Sequence, residues 1–139
     1  MNLPPLNEGN APPGTPLKSY DITYGAEQVE QFLARTGEPA VAYVVDGTPR
    51  VPPGMLLGTY GRLIHETFFY QTGVHVSSDM QVERLPAVGE PLTVSGAISN
   101  LYERNGSKYV AFTIAVSDRS NQPVASIEHV SIYQLAKRG

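Results

Sequence analysis

The sequence predicts an α+β fold in which one antiparallel sheet wraps around a central helix. Three observations predict it. The last half of the chain alternates apolar and polar residues over four segments separated by turn signals. One earlier segment, Gly54 to about Phe69, carries apolar residues around most of a helix circumference. The 139 residues, 41% hydrophobic and 17% charged, are enough for one domain with its own core. A sheet with one apolar face must cover it, and that helix is the only predicted element long enough to do so.

In chain order, residues 1–19 are rich in Pro, Gly and Asn, with Pro4-Pro5 and Pro12-Pro13. Proline removes amide donors and stiffens the chain, so this stretch reads as an arm, extended or disordered. Tyr20 to Tyr24 reads as a short strand. A helix follows from about Gly25 to Arg35, with Ala26, Val29, Phe32 and Leu33 on one face and Thr36-Gly37 as its stop. Val41 to Val45 has strand propensity, and Asp46-Gly47-Thr48-Pro49 reads as a turn. Val51-Pro52-Pro53-Gly54 suits the entry of the long apolar helix.

The strands follow. Val74, Val76, Met80 and Val82 alternate with polar residues. Residues 85–90 connect them to Leu92, Val94 and Ile98, with Gly96 a bend or bulge. Asn105-Gly106 is a hairpin signal. Val110, Phe112, Ile114 and Val116 alternate, 118–122 is a turn, and 124–135 is the last strand. A curved antiparallel sheet around a helix is a hotdog fold. The expectation is a single hotdog domain over residues 20–139.

Composition removes several function classes. The net charge is −3 and there is no run of Lys and Arg, which argues against a nucleic-acid partner. No apolar stretch approaches the roughly 20 residues needed to cross a bilayer, and residues 1–6 lack the blocks of a signal peptide. A cytoplasmic location without membrane contact is the expectation. There are no cysteines, and the three histidines (His65, His75, His129) have no metal-ligand spacing, so neither metal nor cofactor is expected.

Two motifs carry a resemblance. Pro53-Gly54-Met55-Leu56-Leu57-Gly58-Thr59 resembles the His-Gly-Met-Leu-Leu-Ala-Ser helix start of the MaoC-like hydratase/dehydratase family. The stretch from Asp79 to Glu90, ending Val88-Gly89-Glu90, resembles that family's strand and its Val-Gly-Asp or Val-Gly-Glu turn. The resemblance covers about Tyr20 to Leu135. It implies a hotdog fold and an acyl thioester substrate, carried by coenzyme A or acyl carrier protein. It also implies the addition of water to a 2-enoyl thioester, or its removal from a 3-hydroxyacyl thioester. The family signature Gly-Asp-x-Asn-Pro-x-His falls on residues 37–43. Gly37 matches, Glu38 stands for the Asp, Tyr43 stands for the His, and Ala40-Val41 replaces Asn-Pro.

That chemistry needs a group to polarise the thioester carbonyl and a base for water. Backbone amides at a helix N-terminus supply the first. The resemblance assigns this role to Gly54, with Pro53 and Met55 beside it in the substrate-binding set. A plainer reading makes Gly54 a tight helix entry. Glu38 is the candidate base and Tyr43 its hydrogen-bond donor, since a free tyrosine pKa of about 10 suits it poorly as a base. Their plainer reading is a helix-end Glu and a strand Tyr. Thr59 matches a Ser that orients the family's acid; alternatively it bonds back to its own helix.

His65 reads as a structural or interface residue, and His75 and His129 have no partner in sequence. Arg104 and Lys108, at a hairpin tip, are surface charges or coenzyme A phosphate contacts. Three functions follow: a hydratase/dehydratase with a divergent acid–base pair, a non-catalytic hotdog subunit that binds the acyl chain for a catalytic partner, or a hotdog thioesterase using Glu38 or Glu66. A homodimer or a hotdog heterodimer is expected, because a lone sheet leaves an open edge.

Overall fold

A computed structural model of the chain describes residues 2–137. Its elements are β1 (Pro16–Thr23), α1 (Ala26–Thr36), a 3-10 turn (Ala40–Tyr43), β2 (Val44–Val45), β3 (Thr48–Pro49), α2 (Pro53–Leu57), α3 (Tyr60–His65), β4 (Val74–Val82), β5 (Pro91–Arg104), β6 (Ser107–Asp118) and β7 (Pro123–Gln134). The long strands form one antiparallel sheet in the order β1-β5-β6-β7-β4. Four of these strands are the predicted alternating segments. Their inward residues, among them Leu92, Val94, Ile98, Val110, Phe112, Ile114, Val116 and Ile127, are buried. Asn105 and Gly106, with φ of 52° and 82°, make the β5–β6 hairpin.

The segment expected as one helix from Gly54 to Phe69 is two short helices. Gly58 and Thr59 separate α2 from α3, and the Gly58 and Thr59 amides bond back to Met55 and Leu56 carbonyls in tightened turns. Glycine is a poor helix residue, and the Thr59 hydroxyl donates to the Leu56 carbonyl at 2.8 Å, which favours the tightening. The apolar pattern ran through this break and concealed it. α3 ends at His65, and Phe69 pairs in parallel with Pro5 of the arm.

Burial is also more one-sided than expected. Leu56, Thr59, Leu63, Ile64 and Phe68 are buried, but Gly54, Gly58, Arg62 and His65 form an exposed stripe. α3 lies across the inner face of the sheet. A Cβ on Gly96 would sit 2.6 Å from the Thr113 carbonyl and 3.2 Å from Leu63, so glycine there admits the helix. β5 bulges two residues beyond Gly96, between Ile98 and Asn100, and the facing β1 shifts register between Leu17 and Tyr20. The Tyr20 and Tyr24 hydroxyls donate to the Thr59 and Met55 carbonyls, tying β1 to α2 and the break.

The first strand begins at Pro16, so the expected arm boundary at Ser19 falls inside it. Leu6 and Ala11 are buried, and the Leu6 amide donates to the Phe69 carbonyl at 2.9 Å. Val41 to Val45 is not a full strand. The 3-10 turn takes up Ala40–Tyr43, and only Val44–Val45 pairs with Thr48–Pro49.

Candidate active site

Glu38 and Tyr43 meet. α1 ends at Gly37, whose φ of 73° is the left-handed conformation that glycine accepts easily. Pro39 is extended, and the 3-10 turn after it brings Tyr43 back over the chain. The Tyr43 hydroxyl donates to Glu38 Oε2 at 2.5 Å, and Thr36 Oγ1 donates to Oε1 at 3.3 Å. The hydrogen bond to Glu38 raises the Tyr43 pKa above its ordinary value, so the phenol stays protonated and serves as a donor. Both side chains are half-exposed and open to water.

The other expected members are placed differently. A Cβ on Gly54 would lie 2.7 Å from Cζ of Phe32, so the space left by the missing side chain holds the Phe32 ring. The Met55 amide donates to the Pro52 carbonyl at 3.0 Å. Gly54, second in the helix, has no intrahelical carbonyl for its own amide, and Phe32 stands where its side chain would be. Phe32 also belongs to α1, whose end carries Glu38, so α1 borders both places. Thr59 is buried, its hydroxyl on the Leu56 carbonyl and its own carbonyl on the Tyr20 hydroxyl, not on Glu38 or Tyr43. Glu66 is paired with Arg62 at 2.5 Å on the surface, and His65 is exposed with its ring edge-on to Tyr70.

A second polar group was not anticipated. His129 is 1% exposed, on the inner face of β7. Its Nδ1 lies 2.8 Å from Ser78 Oγ and its Nε2 2.5 Å from Ser131 Oγ. Ser78 Oγ is in turn 3.0 Å from Nε2 of His75. The β4–β7 register sets Ser78 opposite His129 and His75 opposite Ser131. Tyr60 of α3 stacks on His129 with ring centroids 3.9 Å apart. Burial, and secondarily His75, pushes the His129 imidazole down to about 4. The one sequence signal was a histidine at core parity, two residues after Ile127. Among the described residues, no group of His, Asp and Glu could hold a metal ion, and no helix is long and apolar enough to cross a membrane.

No protein-family model matches the chain, and no curated protein matches it in sequence. Solved structures do match. A monoamine oxidase regulatory protein from Archaeoglobus superposes with a TM-score of 0.79 at 12% identity, covering 99% of each chain. The Mycobacterium tuberculosis HadBC complex, a 3R-hydroxyacyl-ACP dehydratase, gives 0.71 at 16% identity over 86% of this chain and 96% of that one. An (R)-hydratase from A. caviae involved in PHA biosynthesis gives 0.68 at 16% identity over 85% and 93%.

The chain has the hotdog fold. Its structural neighbours include MaoC-like dehydratases and (R)-hydratases, so the resemblance read from residues 53–59 and 79–90 holds at the level of fold. In this hotdog, Glu38 and Tyr43 are in contact, and the ring of Phe32 stands at the glycine that the resemblance assigned to the thioester.

Proposed function

We propose that this hotdog binds acyl thioesters and acts as a slow or partner-dependent enoyl-thioester hydratase/dehydratase, with Glu38 as its acid–base group. The observation that carries the reading is the Tyr43–Glu38 hydrogen bond. It fixes a carboxylate beside the end of α1, the same helix that borders the start of α2. In hydration, Glu38 takes a proton from water as the oxygen bonds to C3. The C2=C3 electron pair shifts to form a C1=C2 bond as the carbonyl pair moves onto the thioester oxygen, which faces the Gly54 amide at the start of α2. The carboxylic acid then returns the proton to C2, and one water has been added. Tyr43 holds Glu38 in place through its hydroxyl. Phe32 must swing from Gly54 for the carbonyl to reach the backbone.

A second reading rests on a different observation. β4 is an edge strand, and its Val74, Val76 and Val82 are 39%, 46% and 38% exposed. An apolar exposed edge calls for a cover, and the HadBC neighbour is a complex. In this reading the hotdog pairs through β4 with a second copy or with another hotdog chain, and holds the acyl group for that partner's chemistry. An assay of 2-enoyl and 3-hydroxyacyl thioesters, run with the protein alone and with any co-purifying hotdog protein, separates the two. Glu38-dependent turnover alone supports the first; turnover only in the pair, unaffected by Glu38→Gln, supports the second. No thioester binding in either format removes both. Val76→Lys should convert the predicted dimer to a monomer in light scattering, and a wild-type monomer at micromolar concentration contradicts the edge pairing.

A further inference from the structure

Beside the histidine–serine chain lies a small cavity of about 150 Å³. Leu6, Ile64, Val110 and Phe112 give it apolar walls, Ser131 and His75 bring polar atoms to it, and Thr72 and the tyrosines at 60, 70 and 133 complete its polar lining. None of Phe32, Glu38, Tyr43, Gly54 and Thr59 lines it. An apolar space of about this size holds a benzene-sized ring, and apolar walls with a few convergent polar groups are the usual make-up of a small-molecule site.

The hydrogen bonds explain what the polar end can do. Ser131, Ser78 and both imidazoles form one line: His75 Nε2, Ser78 Oγ, His129 Nδ1, His129 Nε2, Ser131 Oγ. Each interior member has a partner on both sides, and among the described residues no buried side-chain polar atom is left unpaired. Ser131 is the terminal member, and a hydroxyl has one donor and two acceptor sites. With His129 protonated at Nδ1, Ser131 donates to Nε2 and offers a lone pair to the cavity. With His129 protonated at Nε2, Ser131 accepts from it and turns its hydrogen to the cavity. His75 lies exposed at the other end, so its tautomer can follow either setting in contact with water. A neutral chain of this kind presents a donor or an acceptor without moving a charge into an apolar space. No Lys or Arg lines the cavity, so a carboxylate there would be desolvated without a permanent cationic partner.

We infer that this cavity is a binding site for a compact, neutral, mainly apolar ligand carrying one hydroxyl or carbonyl oxygen, and that Ser131 recognises that oxygen. Leu6 closes one side of the cavity from the N-terminal arm, which is held to the domain through the Pro5–Phe69 bridge and two backbone hydrogen bonds. The arm is therefore part of the site wall.

The test is a titration of the full chain with phenol, benzene and benzoate, followed by NMR at the side chains of His129 and Tyr60. Phenol should bind about fivefold more tightly than benzene, the net worth of one hydrogen bond, and should shift both reporters. Benzoate should not saturate. Ser131→Ala should bring the phenol-to-benzene ratio close to one while leaving benzene binding intact. If circular dichroism shows that Ser131→Ala does not fold, Ser131→Cys, with its weak thiol donor, should lower the same ratio. Leu6→Trp should block both neutral ligands by filling the cavity. The proposal is overturned if phenol fails to bind or if benzoate binds as well as phenol. It is equally overturned if the phenol preference survives both Ser131 variants, or if binding survives Leu6→Trp.

Discussion

The Glu38–Tyr43 pair and the His75–Ser78–His129–Ser131 chain are both hydrogen-bonded polar groups on an otherwise apolar framework, built in opposite ways. The first is local. Its two residues follow a glycine helix stop and are joined by a proline and one 3-10 turn, and it stands open to water. The second is assembled from two strands and sits under Tyr60, with His129 almost fully buried. An open carboxylate can change protonation during a reaction at little cost to the fold. A buried neutral imidazole cannot, because charging it removes solvation that the core does not replace. On the proposed function, the contrast favours Glu38 for proton transfer and leaves neutral hydrogen bonding to the histidine chain.

The largest way to break this contrast is His129→Ala. It leaves Ser78 and Ser131 without their shared partner and opens a void beneath Tyr60, so a loss of about 4 kcal/mol is expected in denaturant unfolding. Glu38→Gln, on the open side, should change stability by less than about 0.5 kcal/mol. Equal losses in the two variants would mean that the two groups are not built differently.

Acid is the next largest lever. The unfolded His129 takes a proton near its ordinary value of 6.5, while the folded one resists until about 4. Between those values the unfolded state binds more protons, so stability falls as pH falls through the window and levels off below it. The contribution amounts to as much as about 3 kcal/mol. Thermal unfolding measured from pH 7 to pH 4 should show that slope in the wild type, and His129→Gln should flatten it. An unchanged slope in the variant would place the acid sensitivity elsewhere.

Phe32→Ala sharpens the other half. If the ring screens Gly54, removing it should tighten thioester binding several-fold, by roughly 1 kcal/mol, as read by calorimetry with a 2-enoyl coenzyme A. Unchanged or weaker binding would mean that the start of α2 is not where the thioester lies.

The same contrast decided what was legible in the sequence. The sheet was readable because period-two alternation and the Asn105-Gly106 turn are local signals that the tertiary structure left intact. Glu38 and Tyr43 were singled out because the signature of the family that the sequence resembles falls on residues 37–43, and their contact, once formed, is local. His75 and His129 were not, because their partnership depends on the β4–β7 register and on a shift between His75 and Ser77 that no local pattern records. The helix break at Gly58-Thr59 was missed because apolar residues continue on both sides of it. The placement of the Phe32 ring on Gly54 joins two separate helices, which periodicity within α1 cannot reveal.

The central claim is that Glu38 performs the proton transfer in this hotdog, and the most direct test is hydration of a 2-enoyl coenzyme A by the wild type and by Glu38→Gln, with both folds verified. The account predicts slow but measurable hydration by the wild type and a loss of about 10²-fold or more in the variant. Equal rates in the two proteins would contradict it.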